Sequence, residues 1–267
     1  MRKSIFVQER MDINTSENLN GEKAGGNQTE NEQALEMLGF GEIELLVQFT
    51  RGSNHTFLAR VTLEGKSLEA VYKPQRGEQP LWDFPSETLA RREVAAYLVS
   101  EALGWELVPP TVYRQDGPYG QGSLQLRVNH NPQSHYFTFD RVTRQRLRPA
   151  AVFDLIVNNA DRKGGHILLG EKGKIWLIDH GTCFHAEPKL RTVVWDFVGE
   201  TIPAELLASV QGTQEQVAEN RNLRNELENY LSWEELRALD ERLGALLAAP
   251  RFPEVSSEKR VTPWPLV

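Results

Sequence analysis

Polar positions dominate the start of the chain. From Met11 to Asn31 there is scarcely a large apolar side chain. Such a stretch cannot bury enough surface to offset its ordering entropy, so residues 1–31 are expected to form a disordered arm. The pattern then predicts a short helix from Glu32 through Met37, ended by Gly39. Three strand-like runs follow. Glu42–Thr50 alternates, with Ile43, Leu45 and Val47 on one face, and Phe57–Leu63 and Ser67–Lys73 are the second and third. Turn residues at 51–54 and 64–66 separate them, which predicts an antiparallel meander.

Helical spacing takes over next. Ser86 suits an N-cap and Glu87 a first turn, while Ala90, Val94, Tyr97, Leu98 and Ala102 recur on one face before Gly104. Two more strands, Thr111–Arg114 and Ser123–Val128, flank a Gly/Pro-rich loop, and 129–134 reads as a connector. Beyond it, Arg148–Asn159 carries an apolar stripe of Val152, Phe153, Ile156 and Val157. A polar loop, Ala160–His166, precedes two short strands, Ile167–Leu169 and Lys174–Ile178. Helices are expected at Pro203–Val210 and Trp233–Ala249, and little regular pattern from Pro250 on. The order predicts an α+β chain of two lobes: a sheet-bearing N-lobe at 32–131 and a mainly helical C-lobe at 132–267. Ligand sites favour such boundaries.

Composition narrows the class. The 267 residues are 40% hydrophobic, enough for one large domain or two small lobes. A net charge of −7 argues against non-specific nucleic-acid binding. The single cysteine, Cys183, permits no intrachain disulfide, and with scattered histidines it lacks the paired spacing of a structural zinc site. No run approaches a membrane span and the start has no secretory pattern, so a cytoplasmic protein without integral membrane association is expected.

The stretch richest in chemistry is 158–166, Asn-Asn-Ala-Asp-Arg-Lys-Gly-Gly-His, followed at 176–181 by Trp-Leu-Ile-Asp-His-Gly. Asp161 sits in a loop after an apolar helix, His166 lies five residues on, and Asp179 leaves the end of a hydrophobic strand. Phosphoryl transfer from ATP needs a carboxylate at the attacking group and metal ligands at the phosphates. Upstream, residues 51–56 join two strands, so backbone amides with Ser53, Asn54 and Thr56 form a candidate phosphate loop. It is neither a Walker A loop nor Gly-x-Gly-x-x-Gly. Lys73 follows an apolar strand, and Glu93 lies mid-helix near the buried stripe. The basic run Arg141–Arg148 reads as a solvated face, and Trp195-Asp196 as core or substrate side.

Asp161-Arg162 with a ligand-type residue at 166, then Ile178-Asp179-His180-Gly181, resembles the catalytic and metal-binding loops of the phosphatidylinositol-3/4-kinase-like family. Within it the likeness is to the small bacterial branch typified by the SCO1664 family. The resemblance covers about Glu32 to Pro203 and implies a two-lobed protein-kinase-like fold. It implies Asp161 as catalytic aspartate with Arg162 balancing its charge, and Asp179 and His166 as ligands of Mg²⁺ or Mn²⁺. It implies Lys73 at the ATP phosphates, oriented by Glu93, and Gln125 to Val128, with Arg127, as a hinge offering backbone groups to adenine beside Ile178. Gly181 would allow a sharp turn. One departure is His166, where the family generally has Asn; imidazole favours softer metals than Mg²⁺. The acceptor remains open among protein, small molecule and lipid. A nucleotide-binding pseudokinase or scaffold, and a protein nucleotidyltransferase on the same fold, are the alternatives.

Overall fold

A computed structural model describes residues 30–49, 54–218, 221–255 and 260–267. The expected arm up to residue 29 and Ser53 lie outside the described residues. The chain folds as two compact units. One comprises the chain up to Gly77 together with Pro110–Arg127, the other Glu78–Pro109 and Val128–Val267. The helix expected in the N-lobe therefore packs within the second unit.

The first unit holds helix α1 (Glu30–Phe40) and strands β1 (Glu42–Phe49), β2 (Thr56–Leu63), β3 (Lys66–Pro74), β4 (Thr111–Gly117) and β5 (Gly120–Leu126). They form one antiparallel sheet in the order β1-β2-β3-β5-β4. Period-two alternation builds its core. Phe57 and Ala59 sit opposite Tyr72 and Ala70, and with Val61, Leu124 and Leu38 of α1 they are buried together. A bulge between Leu45 and Val47 changes the face of β1, so Val47 is 56% exposed and does not share the inward face expected of it.

Helix α1 runs through Gly39 and ends at Gly41, not at the expected glycine. Its last carbonyls are met by tertiary structure. The buried Arg114 donates from Nη1 to the carbonyls of Leu38 and Gly41, both at 2.9 Å, and Asp116 holds its Nε at 2.8 Å. The loop expected between 114 and 123 is instead a tight hairpin. Gly117 faces Gly120, and the Tyr72 hydroxyl donates to the Gly120 carbonyl at 2.5 Å. A Cβ on Gly117 would stand 2.4 Å from that hydroxyl.

The second unit contains α2 (Leu89–Ala102), α3 (Arg141–Gln145), α4 (Arg148–Val157), the hairpin β6 (Ile167–Leu169) and β7 (Ile175–Leu177), and helices α5 (Ala204–Val217), α6 (Asn222–Leu227) and α7 (Trp233–Ala248). Ser86 does not cap α2. The Glu78 carboxylate does, accepting from the amides of Leu89 at 3.1 Å and Ala90 at 2.8 Å. A cap eleven residues ahead of the helix lies beyond any local pattern. Ser232 and Glu235 form a capping box on α7. Glu235 also pairs with the buried Arg92 of α2, which donates to the Cys183 carbonyl at 2.6 Å. The basic run is largely solvent-facing, as expected, and three of its arginines also make tertiary contacts. Arg144 stacks on Tyr136, Arg146 donates to Gly173, and Arg148 pairs with Glu200. From Pro250 the chain is also held: Phe252 packs on Phe197, and the Glu200 carbonyl accepts its amide at 3.0 Å. Among the described residues no helix is long and apolar enough to cross a membrane.

Gly117→Ala is expected to destabilise the protein by about 1–3 kcal/mol, the usual cost of overpacking a tight contact. A urea melt would register this as a lower midpoint.

Candidate active site

Helix α4 stops at Asn158, whose backbone is left-handed at φ 51° and ψ 54°. Asparagine tolerates that region better than most residues. Its side chain then staples the helix end to a distant segment. Nδ2 donates to the carbonyls of His185 at 2.8 Å and Glu187 at 2.7 Å, and Oδ1 accepts from the Lys189 amide at 2.9 Å.

One turn back, Asp154 is fully buried and accepts four groups. Arg162 reaches it through Nε at 3.0 Å and Nη2 at 3.0 Å, the Thr192 hydroxyl at 2.9 Å and Asn159 Nδ2 at 3.2 Å. Burial pushes the Asp154 carboxyl up, while Arg162 and its hydrogen bonds pull against that rise. Arg162 also donates from Nη1 to the Ile178 carbonyl and from Nη2 to His180 Nε2, both at 2.8 Å. A guanidinium can only donate, so Nε2 must accept; His180 is then neutral with its proton on Nδ1. Glu93 Oε2 lies 3.8 Å from that Nδ1 and accepts the His180 amide at 2.9 Å. Thus α2, α4, the 161–166 loop and the segment after β7 share one buried polar hub.

The hub leaves two carboxylates at the surface. The Asp161 amide donates to Asn159 Oδ1 at 2.9 Å, and its Oδ2 lies 2.9 Å from Lys163 Nζ. Burial raises the Asp161 carboxyl; Lys163 lowers it, Asp179 adds to the rise and Arg191 opposes it. Residues Gly164–His166 form a 3-10 turn in which His166 Nδ1 accepts the Lys163 amide at 3.4 Å. With Nδ1 accepting, the neutral ring carries its proton on Nε2, which faces Asp179 Oδ2 at 3.3 Å. Asp179 itself is left-handed at φ 63° and its side chain is 48% exposed. A non-glycine in that region stores strain that its surroundings must hold. The resemblance assigned the sharp turn to Gly181. The left-handed residue is Asp179, and the room at Gly181 is needed because a Cβ there would stand 3.2 Å from Leu89 of α2.

His166 and Asp179 present one nitrogen and one oxygen 3.3 Å apart. Two ligands at right angles, each roughly 2.1 Å from an ion, stand roughly 3 Å apart, so the spacing suits one small divalent cation once Nε2 gives up its proton. Among the described residues no group of three or more His, Cys, Asp or Glu converges on a point. A two-ligand set matches an ion that completes its shell with water and phosphate oxygens.

The other expected residues divide between the units. In the first, Lys73 lies in β3 opposite Ser123, and Thr56 opens β2 after Asn54. Gln125 Nε2 is tied to the Thr111 hydroxyl at 2.8 Å. Arg127 spends its amide on the Glu69 carbonyl at 3.0 Å and its guanidinium on the Glu69 carboxylate. In the second, Glu93 holds His180, and Ile178 gives its carbonyl to Arg162. Arg162, with no exposed surface, positions the loop and does not reach a ligand. Sequence reasoning missed Asp154, Asn159, His180 and Lys163. The paired asparagines after an apolar helix and the Lys two residues past Asp161 were the available signals.

A model of the family described as phosphatidylinositol 3- and 4-kinase matches residues 86–237. "Protein Rv2133c" of Mycobacterium tuberculosis is 41% identical over 264 residues, covering 86% of this chain and 94% of that protein. Phosphatidylinositol 4-kinase gamma 4 of rice (Oryza sativa subsp. japonica) is 28% identical over 186 residues, which is 57% of this chain and 33% of the plant protein. Among solved structures, the Golgi casein kinase with Mn/ADP bound aligns with a TM-score of 0.53 at 13% identity, covering 82% of this chain and 74% of that one. The fold is thus the two-lobed, protein-kinase-like α+β fold.

Asp154→Ala leaves the Arg162 charge buried without its partner and is expected to cost about 3–5 kcal/mol, read from chemical denaturation. The Asp161 carboxyl should titrate above an ordinary aspartate. Because Lys163 lowers it, Lys163→Met should move that midpoint further up in a carboxyl-carbon NMR titration; a downward move would contradict the assignment.

Proposed function

The chain belongs to the phosphatidylinositol 3- and 4-kinase family, and we propose that it is an ATP- and divalent-metal-dependent kinase that phosphorylates a hydroxyl acceptor. The observation that carries this reading is the pair of partly exposed carboxylates, Asp161 and Asp179, held by one buried hub. In the transfer, the acceptor oxygen forms a bond to the γ-phosphorus as the bond to the β,γ-bridging oxygen breaks and ADP leaves. Asp161 orients the acceptor hydroxyl and takes its proton. A carboxyl raised by burial is a stronger proton acceptor than an ordinary one, and such a base contributes about 10²–10⁴-fold. Lys163 steadies the ionised carboxylate at 2.9 Å.

His166 and Asp179 are the residues to hold Mg²⁺ or Mn²⁺, which when bound supplies charge neutralisation at the phosphates. The imidazole at 166 favours Mn²⁺ over Mg²⁺. For Nε2 to serve as a ligand the ring proton would have to move to Nδ1, which now accepts the Lys163 amide, or the ring would have to turn. Lys73, in the first unit, is the cation proposed for the nucleotide phosphates. Glu93, which holds His180, fixes the segment that carries Asp179.

Metal-dependent ATP turnover tests the reading. Asp161→Asn is expected to lose at least about 100-fold in kcat while nucleotide binding persists. Asp179→Ala should abolish the metal dependence. His166→Asn should shift the preference from Mn²⁺ towards Mg²⁺. Undiminished turnover in Asp161→Asn would refute the assignment, and the mass of a modified acceptor separates phosphoryl from adenylyl transfer.

A further inference from the structure

The last eight residues, Arg260–Val267, cross the catalytic loop without forming helix or strand. They are held mainly through main-chain carbonyls. Val261 O accepts from the Thr192 amide at 3.0 Å and from Trp195 Nε1 at 3.3 Å, and Leu266 O accepts from the Gly164 amide at 2.7 Å. These donors belong to two segments that already pair with each other. The Arg162 amide donates to the Arg191 carbonyl at 2.9 Å, and the Val193 amide to the Arg162 carbonyl at 3.2 Å. The donors are therefore fixed in advance, which lowers the cost of docking on them.

Gly164 is three residues past Asp161, so its amide lies within about 11 Å of that residue along the chain. A Cβ at 164 would stand 2.8 Å from the Phe137 ring and 3.4 Å from Leu266 O. The surface is thus shaped for close main-chain approach over a glycine. The occupant's larger side chains are spared: Trp264 is 76% exposed and Val267 56%, while Pro263 is buried. The segment bends at Thr262 and again at Trp264 and Pro265, so it meets the surface at two separate carbonyls rather than along one continuous strand. Recognition through main-chain carbonyls depends little on side-chain identity.

We infer that this surface is a peptide-docking site, that residues 260–267 are its built-in occupant, and that the acceptor is a polypeptide which takes their place and offers its main-chain carbonyls to the same donors. The acceptor part rests on the kinase reading; the docking part does not. A chain lacking residues 260–267 and a synthetic peptide of that sequence test it, with binding followed by anisotropy in the absence of nucleotide. The peptide should bind the shortened chain at least about tenfold more tightly than the full one, because a tethered occupant competes at high effective concentration. With ATP and Mn²⁺, the shortened chain should also phosphorylate hydroxyl-bearing peptides faster than the full chain.

Failure of the peptide to bind a shortened chain that still melts cooperatively would overturn the docking site, as would selective binding of that chain to phosphatidylinositol vesicles. Binding without phosphoryl transfer would keep the docking site and reject the polypeptide acceptor, and loss of ATP turnover in both chains would mark failure of the kinase reading itself. Should the shortened chain not fold, hydrogen exchange on the full chain decides. The Gly164 amide should exchange by a local opening that spares α4; exchange only through global unfolding would overturn the proposal.

Discussion

The buried pair between Asp154 and Arg162 is the constraint on which the second unit turns. A lone guanidinium or carboxylate in that interior would be prohibitive, so the two must be met by each other and by neutral partners. Those partners are Asn159, Thr192, the Ile178 carbonyl and His180. They come from three different stretches of chain. The pair therefore adds little net stability of its own, yet it decides which backbones lie side by side. Removing one member would lose the arrangement as well as the energy.

The geometry of the candidate site follows from that arrangement. Arg162 occupies the interior so that its neighbour Asp161 can face outward, and the same guanidinium holds the residue before Asp179. Glu93 grips the residue after it. Asp179 is thus held from both sides in a left-handed conformation, and its carboxylate is presented beside His166. Two surface carboxylates are set by one interior network. The imidazole of His180 passes the constraint from Arg162 to Glu93, with its tautomer dictated by a partner that can only donate.

Much of the architecture was legible because it follows local periodicity. Alternation in Phe57–Leu63 and Ser67–Lys73 and the stripe in α4 report directly on burial. Motif order also singles out Asp161, His166 and Asp179, of which the fold sets His166 beside Asp179. What stayed hidden was non-local. The bulge that turns Val47 outward depends on a register shift against β2. The hairpin at Gly117–Gly120 depends on the Tyr72 hydroxyl from another strand. Arg162 looked like a charge balancing Asp161, and only the fold reveals the carboxylate eight residues upstream that claims it. The described residues after Pro250 show no periodicity, and main-chain hydrogen bonds at Phe252, Val261 and Leu266 hold them, which no side-chain pattern records.

The capping of α2 by Glu78 bears on how the protein can be divided. Sequence similarity to the family begins at residue 86, inside the connection that leads into the helix. A fragment cut there would start the helix with two amides bare and would still carry Arg92 and Glu93, whose placement depends on that first turn. The compact unit begins at Glu78. The natural boundary for dissecting this half of the molecule is therefore set by a hydrogen-bond acceptor, eight residues ahead of where the family model begins to match.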